Sequence, residues 1–287
     1  MIYKAKKHLG LKKFSSENLS PDVSSYKAKK HLGQNFLKSQ PALQMMCQAG
    51  EIREDDIILE IGPGKGVLTS KLLERCNNVI AVEKDNDLIN ILKEKFPQEI
   101  KSGKLKLLNE DILTFEPENH KLVSGKYKII ANIPYNITGA IFKKFLSSLI
   151  QPERMVLLVQ KEVAERIVAR DRKESILSLS VKAYGVPKYL MKVPKRFFSP
   201  EPKIDSAIIA INNISKINFK TKEEEELFFR IIKLGFAHKR KVLRRNLQED
   251  WGKDAIDGIL HSLKIPENSR AEDLPFDKWM GIASLLK

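Results

Sequence analysis

Residues that could hold a nucleoside follow a series of short apolar runs in the chain. The run Ile57–Ile61 ends in a turn that contains Gly62 and Gly64 in a Gly-x-Gly-x-Gly pattern. Glycines at such a turn let the chain reverse tightly and let a ligand approach the main chain. The spacing differs from the Gly-x-Gly-x-x-Gly of dinucleotide sites. It therefore fits either a nucleoside ligand without a pyrophosphate or an ordinary glycine-rich turn.

Acidic residues end the next two apolar runs. Glu83 follows Gly62 by 21 positions, and a carboxylate there can accept hydrogen bonds from both hydroxyls of a ribose. Asp111 and Ile112 follow the third run; Asp111 could accept from the exocyclic amine of a purine, and Ile112 could pack on the base. Because ligands bind beyond the carboxyl ends of parallel strands, the three turns are expected to converge on one site.

The sharpest signal is Asn132-Ile133-Pro134-Tyr135 at the end of the fourth run. The Asn132 side-chain oxygen and the Ile133 carbonyl, which Pro134 frees from a strand ladder, could both accept from one amino group. Two such acceptors orient the nitrogen lone pair toward an electrophile, which is catalysis by positioning. Tyr135 offers a ring on which a base could stack. The motif therefore indicates a reaction at an amine held beside the nucleoside site.

These turns require an α/β sheet to position them. Apolar runs alternate with helical periods, which predicts βαβ units and a mostly parallel sheet covered by helices on both faces. The predicted strands are 57–61, 78–83, 104–108, 127–131 and 155–159, and the predicted helices are 41–50, 67–76, 88–96, 137–150 and 161–169.

The pattern changes after Tyr184. Two runs at 186–193 and 206–211 lie close in sequence and predict an antiparallel edge of the sheet. The remainder predicts the helices 223–236, 239–249, 253–262 and 276–286. We therefore divide the chain into a basic tail at 1–25, a Rossmann-like domain at 26–218 and a smaller all-α domain at 219–287.

Composition narrows the class of partner. The 287 residues carry 51 Lys+Arg against 36 Asp+Glu, a net charge of +15. A surplus of this size predicts a polyanionic partner, with nucleic acid ahead of an anionic membrane. Two cysteines without a Cys-x-x-Cys spacing argue against a disulfide framework and a structural zinc site. No apolar run has the length of a membrane span, and we expect a cytoplasmic protein.

One octapeptide occurs twice. Tyr-Lys-Ala-Lys-Lys-His-Leu-Gly stands at Tyr3–Gly10 and again, without a mismatch, at Tyr26–Gly33. Only the second copy continues into Gln34-Asn-Phe-Leu37. We therefore expect the second copy, with its extension, to be the working one.

The motifs together resemble the bacterial small-subunit rRNA adenine N6,N6-dimethyltransferases. The resemblance rests on HLGQNFL, EIGPGKG, VEKD, NEDI, NIPYNIT, FFSPEPKIDSA and FAHKRKVLRRNL, and it covers the chain from about residue 26 to its end. It implies a Rossmann-like S-adenosyl-L-methionine-dependent methyltransferase. The implied target is two adjacent adenosines in the stem-loop near the 3′ end of small-subunit rRNA, each methylated twice.

The resemblance also implies roles for individual residues. The implied cofactor contacts are Gln34, Asn35, Leu37, Gly62, Gly64, Glu83, Asp111, Ile112 and Asn132. The implied catalytic group is Asn132, where the methyl donor meets the target amine, with Pro134 and Tyr135 holding the target adenine and Phe198 supplying a second aromatic face.

A basic stretch completes the predicted RNA-binding surface. Five positive charges fall within seven residues of the predicted helix 239–249, and two lysines precede the cofactor segment. These residues are Lys239, Arg240, Lys241, Arg244, Arg245, Lys29 and Lys30. Contacts with phosphates would make binding strongly dependent on salt. The alternative is a solvated cationic helix face.

Other functions fit parts of the pattern. DNA adenine methyltransferases share an Asn/Asp-Pro-Pro-Tyr-type motif, but the Gln34–Leu37 segment and the C-terminal helices do not indicate them. The large-subunit rRNA adenine methyltransferases of the macrolide-resistance type share the glycine turn and an Asn-Ile/Leu-Pro-Tyr motif, but Asn136-Ile-Thr138 and the long C-terminal domain favour the small-subunit group. A non-catalytic RNA-binding assembly factor on the same fold is a further alternative. We expect the partner to be small-subunit rRNA in the pre-30S subunit, bound by a monomer without a metal and without a membrane.

Overall fold

A seven-stranded sheet with helices on both faces forms the larger part of the molecule. The computed structural model describes residues 26–286, so the tail and the first octapeptide lie outside the described residues. The strands are β1 (Phe36–Leu37), β2 (Ile57–Ile61), β3 (Asn78–Glu83), β4 (Leu105–Asn109), β5 (Tyr127–Asn132), β6 (Arg154–Gln160), β7 (Val186–Val193), β8 (Phe198–Ser199) and β9 (Ser206–Asn212). The order in the large sheet is β4-β3-β2-β5-β6-β9-β7, and β1 pairs separately with β8.

The predicted mostly parallel sheet with a reversed strand near one edge is confirmed. Strands β2 to β6 pair in parallel, whereas β9 runs antiparallel to both β6 and β7. The reversed strand therefore lies one position inside the edge, and β7 is the edge itself. The chain proceeds outward from β2 to β4 and then returns to β5 on the other side of β2. The carboxyl ends of β2 and β5 thus flank the switch point where ligands bind in open α/β sheets.

Helices cover the sheet and then form the C-terminal part. Their bounds are α1 (Gln40–Ala49), α2 (Val67–Leu73), α3 (Asn86–Lys95), α4 (Pro97–Lys101), α5 (Thr138–Ser147), α6 (Lys161–Ile167), α7 (Ile176–Lys182), α8 (Lys222–Gly235), α9 (Leu243–Trp251), α10 (Lys253–Ser262) and α11 (Phe276–Leu285). Helix α7 has no counterpart among the predicted elements. Ser175 and Ser178 start it with a reciprocal capping box.

Alternate residues of each strand feed two apolar cores. Ile58 and Ile130 belong to the core beneath α1, α2 and α3. Leu59 and Ile129 point to the opposite face, as the period of two residues in a strand requires. That second core continues without a break to the buried Trp279 of α11. The C-terminal helices therefore pack on the sheet domain through shared apolar side chains.

One predicted helix begins later than the sequence indicates. Residues 239–242 form a turn, and α9 starts at Leu243. The Asn246 amide donates to the carbonyls of Gly235 (2.6 Å) and His238 (3.3 Å), which holds the end of α8 against α9. Lysine and arginine favour helix intrinsically, but these tertiary contacts fix a turn instead.

Residues 26–286 contain neither a helix long and apolar enough to cross a membrane nor a disulfide bond. Cys47 and Cys76 are buried free thiols, and burial raises the pKa of both.

Candidate active site

All but one of the residues predicted to bind the cofactor and the target amine line a single cleft. The cleft lies at the carboxyl ends of β2, β3 and β5, at the switch point of the sheet. Its lining includes Gln34, Asn35, Leu37, Gly62, Gly64, Glu83, Asp111, Ile112, Asn132, Pro134 and Tyr135. The convergence expected from the strand ends is therefore present.

The glycine turn and Glu83 form one hydrogen-bonded unit. Gly64 has φ of 58°, in the left-handed region, and a Cβ there would lie 3.0 Å from the Phe36 ring. Only glycine fits such a site without displacing the ring. Its N–H donates to Glu83 Oε2 (3.2 Å), and the N–H of Asp85 donates to Glu83 Oε1 (3.0 Å). The carboxylate that is predicted to receive the ribose is thus held from both sides.

Asp111 occupies the position expected for recognition of a base. Its Oδ1 accepts from the N–H of Leu113 (2.9 Å), and its Oδ2 accepts from Lys84 Nζ (2.8 Å). The Lys84 ammonium and the Leu113 amide hold the pKa of Asp111 below its usual range. The ionised carboxylate keeps further lone pairs for an exocyclic amine. Ile112 beside it is 5% exposed and packs into the core.

Asn132 ends β5 with its amide orientation fixed. Its Nδ2 donates to the carbonyl of Asn35 (3.1 Å). Because the amino side of the amide is engaged, the Oδ1 is the atom that can accept from a substrate amine. Tyr135 is held by a 2.6 Å hydrogen bond between its hydroxyl and Ser206 Oγ. The structure therefore supplies the acceptor and the aromatic side chain that the motif predicts.

Glu60 has no role predicted from the sequence. It is 1% exposed at the last position but one of the otherwise apolar β2, lines the cleft, and its Oε2 has no hydrogen-bond partner among residues 26–286. Burial raises the pKa of the Glu60 carboxyl to about 8, and the nearby charge of Glu83 acts in the same direction. The sequence feature that could have identified Glu60 is an acidic residue inside an apolar strand. The unpartnered oxygen can accept a hydrogen bond from a ligand in the cleft.

Glu60 should make the stability of the protein depend on pH. Its folded-state pKa lies above the value of about 4.3 for an unfolded glutamate. Its contribution to stability is therefore complete below about pH 4.3 and is lost as the pH rises through about 8. Without cofactor, the free energy of unfolding in urea should fall more from pH 6 to pH 9 in the wild type than in Glu60→Gln. The exposed Glu249→Gln is the control, and equal losses in wild type and Glu60→Gln would contradict the assignment.

Phe198 lies in the core and not in the cleft, contrary to its predicted role. It is 3% exposed, pairs with Leu37 across the β1–β8 ladder, and packs in the core beneath α1. Its ring does not line the cleft, so in this structure it offers no second aromatic face. The neighbouring Phe197 is partly exposed, with the Arg196 guanidinium 5.3 Å from its ring centre. Because Phe197 and Phe198 are adjacent, the sequence alone does not indicate which ring is buried and which is exposed.

Lys29 differs from its predicted role, whereas Gln34 lines the cleft as predicted and makes further contacts. Lys29, predicted to meet phosphate, instead pairs with Asp85 (2.7 Å) and Asp87 (2.8 Å). The Gln34 amide accepts from the Lys29 N–H (2.8 Å) and donates to Asp85 (2.9 Å), so it anchors its own segment as well as lining the cleft. Lys30 is exposed.

The C-terminal basic residues fall into two groups. Lys239, Arg240 and Lys241 are exposed in the turn between α8 and α9, and Arg245 is exposed in the first turn of α9. Arg244 is only 26% exposed and lies 3.5 Å from Asp257 and 3.4 Å from Glu267. Its charge is therefore already paired within the protein.

The cleft suits the cofactor implied by the sequence. S-adenosyl-L-methionine carries a sulfonium, an ammonium and a carboxylate together with an adenosine. Gly62 leaves open space beside the turn, Glu83 and Asp111 supply carboxylate acceptors for hydroxyl and amino groups, and the unpartnered Glu60 oxygen can accept a further hydrogen bond. The donor and acceptor set of the cleft therefore fits this group.

Structural relatives share the fold over most of the chain. A dimethyladenosine transferase from Plasmodium falciparum superimposes with a TM-score of 0.73 and 25% identity, covering 86% of this chain and 95% of that one. The 23S rRNA methyltransferase ErmE superimposes with a TM-score of 0.74 and 24% identity, covering 88% and 99%. The second likeness concerns the fold alone.

Relatives found by sequence have a higher identity to this chain than these structures do. The curated "Ribosomal RNA small subunit methyltransferase A" of Fusobacterium nucleatum subsp. nucleatum is 39% identical over 257 residues, covering 88% of this chain and 96% of its own. The protein of the same name from Dehalococcoides mccartyi strain BAV1 is 40% identical over 248 residues, covering 86% and 84%. The family "Ribosomal RNA adenine dimethylase" matches residues 25–287. The chain thus belongs to the ribosomal RNA adenine dimethylase family and is an S-adenosyl-L-methionine-dependent rRNA adenine dimethyltransferase.

Proposed function

We propose that this protein dimethylates the N6 amines of two adjacent adenosines in the 3′-terminal stem-loop of small-subunit rRNA, during assembly of the small ribosomal subunit. The observation that carries the proposal is the Asn132 amide, which is oriented by its hydrogen bond to the Asn35 carbonyl and lines the same cleft as Glu83 and Tyr135. The names of the curated relatives support the small subunit as the substrate.

The chain's own residues act by alignment. Bound in the cleft, the cofactor supplies an electrophilic methyl group on a sulfonium that is already a good leaving group. Asn132 Oδ1 and the Ile133 carbonyl accept from the target amine and turn its lone pair toward that methyl group. Tyr135, fixed by Ser206, supports the base after it has been splayed from its loop. No strong general base is needed, because alignment accounts for the main part of the effect.

A groove reaches from helix α5 to the basic turn. Helix α5 begins at Thr138, three residues after Tyr135, and its Gly139 and Lys143 line this groove together with Lys220 and Lys239. The groove runs between the sheet domain and the C-terminal helices. An RNA strand lying in it would meet phosphate-binding ammonium groups on the way to the amine site. We propose that Lys30, Lys239, Arg240, Lys241 and Arg245 contribute to this contact.

The decisive experiment maps methylated adenines. Unmethylated small subunits and large subunits are incubated separately with labelled cofactor, and the modified positions are identified by mass spectrometry. Dimethyl-adenine at two neighbouring positions near the 3′ end of small-subunit rRNA supports the proposal. Label in large-subunit rRNA would support the macrolide-resistance type instead, and binding without label would support a non-catalytic assembly factor. We further propose that the enzyme acts in the cytoplasm, as a monomer and without a metal.

The basic turn yields a test of RNA binding. Replacing Lys239, Arg240 and Lys241 together with glutamine should weaken binding to small-subunit RNA. It should also reduce the slope of log K against log salt by about 2, because each lost phosphate contact lowers the slope by roughly 0.7 to 0.9. Filter binding from low to moderate salt measures both quantities. The matched control replaces the exposed Lys233, Lys253 and Lys264. An equal change in slope in the control would assign the effect to net charge alone.

A further inference from the structure

The segment Tyr26–Leu37, here called the strap, forms part of the wall of the cleft. Its residues His31 to Leu37 line the cleft. At Gly33, where φ is 66°, a Cβ would lie 3.1 Å from Asn136 Oδ1 and 3.5 Å from Pro134 Cβ. The backbone of the strap therefore rests directly on the turn that carries the amine site.

The buried Asp85 carboxylate contacts three residues of the strap. Asp85 Oδ1 lies 2.7 Å from Lys29 Nζ, and Oδ2 lies 2.9 Å from Gln34 Nε2 and 2.6 Å from the Tyr26 hydroxyl. The Asp85 side chain is fully buried, whereas that of Lys29 is 35% exposed. Burial acts to raise the pKa of Asp85, but hydrogen bonds from Lys29, Tyr26 and Gln34 lower it to about 2. The carboxylate is therefore ionised throughout the working pH range.

The same residue is connected to both halves of the candidate active site. Its N–H donates to Glu83 Oε1 (3.0 Å), on the ribose side. Through the strap it positions the carbonyl of Asn35, which accepts from Asn132 Nδ2 (3.1 Å). The strap thus joins the cofactor side of the cleft to the residue that orients the target amine.

We propose that Asp85 is a positioning residue that latches the strap over the cofactor and thereby sets the fraction of molecules able to bind it. This inference rests on the proposed function. It concerns the affinity for the cofactor. If the strap is closed in only a fraction of the molecules, the apparent affinity equals the affinity of the closed form multiplied by that fraction. Saturating cofactor should close the strap by its own binding energy, so the chemical step should be spared.

Asp85 also caps α3, and the test must separate this role. Its Oδ1 accepts from the N–H of Asp87 (3.0 Å). Asparagine caps helices about as well as aspartate, so Asp85→Asn keeps the cap and loses the charge. Tyr26→Phe weakens the latch from the other side without touching α3. Lys29→Met weakens it too, but also removes the ion pair with the Asp87 side chain in the first turn of α3. Lys38→Met, at an exposed lysine just beyond the strap, is the matched control.

The experiment combines cofactor affinity, kinetics and hydrogen exchange. By calorimetry, Asp85→Asn and Lys29→Met should weaken binding of S-adenosyl-L-methionine about tenfold or more, the effect of losing one charge-assisted hydrogen bond. Tyr26→Phe should weaken cofactor binding less. Lys29→Arg keeps the positive charge and should bind the cofactor much as the wild type does, and Lys38→Met should leave the affinity unchanged. The KM for the cofactor should rise in parallel with little change in kcat. Without cofactor, the strap amides should exchange faster in Asp85→Asn and Lys29→Met.

The outcomes distinguish the inference from the function on which it rests. If the wild type binds no S-adenosyl-L-methionine or methylates no adenine, the proposed function fails. If the wild type does both, and Asp85→Asn and Lys29→Met keep wild-type affinity and strap protection, then Asp85 is only a helix cap and the latch is refuted. A loss of kcat with unchanged KM would also overturn the latch.

Discussion

Asn132→Ala is expected to slow methyl transfer on the order of 10²-fold, the cost of misplacing reacting groups by about one ångström. The substitution removes the Oδ1 that accepts from the target amine and the Nδ2 that donates to Asn35 (3.1 Å). Cofactor contacts at Glu83 and the glycine turn stay in place. Single-turnover transfer of labelled methyl groups to small-subunit rRNA measures the rate, and calorimetry measures cofactor affinity.

The role of Asn132 is identified by comparing the loss of methyl-transfer rate with the loss of cofactor affinity. Affinity for S-adenosyl-L-methionine should fall much less than the rate, because Asn132→Ala removes only one hydrogen bond to the strap. Asn119→Ala, at an exposed asparagine of the same domain, is the control. Methyl transfer within a few-fold of the wild type in Asn132→Ala would show that the amide does not position the amine.

Glu83→Gln is expected to weaken cofactor binding by about 10- to 100-fold, the range for losing hydrogen bonds to a charged group. The change is not conservative. Both carboxylate oxygens accept from backbone N–H groups, of Gly64 (3.2 Å) and Asp85 (3.0 Å). The new amide N–H₂ must face one of these donors, so the glycine turn is disturbed and a ribose acceptor is lost.

Ligand-induced stabilisation provides the measurement. A cofactor that binds only the folded state raises the unfolding temperature according to its concentration relative to Kd. The shift should be large for the wild type and for Glu94→Gln, an exposed glutamate on α3, and small for Glu83→Gln. An undiminished shift in Glu83→Gln would exclude a contact between this carboxylate and the cofactor.

The sequence predicted the strand-end residues well for a physical reason. Strands buried on both faces are continuous apolar runs, so a polar residue at their carboxyl end is conspicuous and its position is fixed by the sheet. Glu83, Asp111 and Asn132 were found in this way and line the same cleft. Family resemblance added the strap residues, which no period in the sequence identifies.

Contacts between distant parts of the chain could not be predicted. Lys29 and Gln34 meet Asp85, which is more than fifty positions away, and nothing local in the strap specifies that partner. The start of α9 depends on where Asn246 finds its acceptors. The burial of Phe198 depends on the pairing of β8 with β1. In each case a tertiary contact overrides a local preference.

That pairing of β1 with β8 has a consequence for the order of events in catalysis. The ladder joins Leu37, at the end of the strap, to Phe198, and the Lys38 N–H donates to the Phe197 carbonyl (2.8 Å). The strap and the loop that holds both phenylalanines are thus physically joined. If the two move together, cofactor occupancy and the conformation of this loop are linked, and such linkage is reciprocal. RNA that repositioned the loop would then change the affinity for the cofactor by the same factor, which would retain the methyl donor until the target is seated.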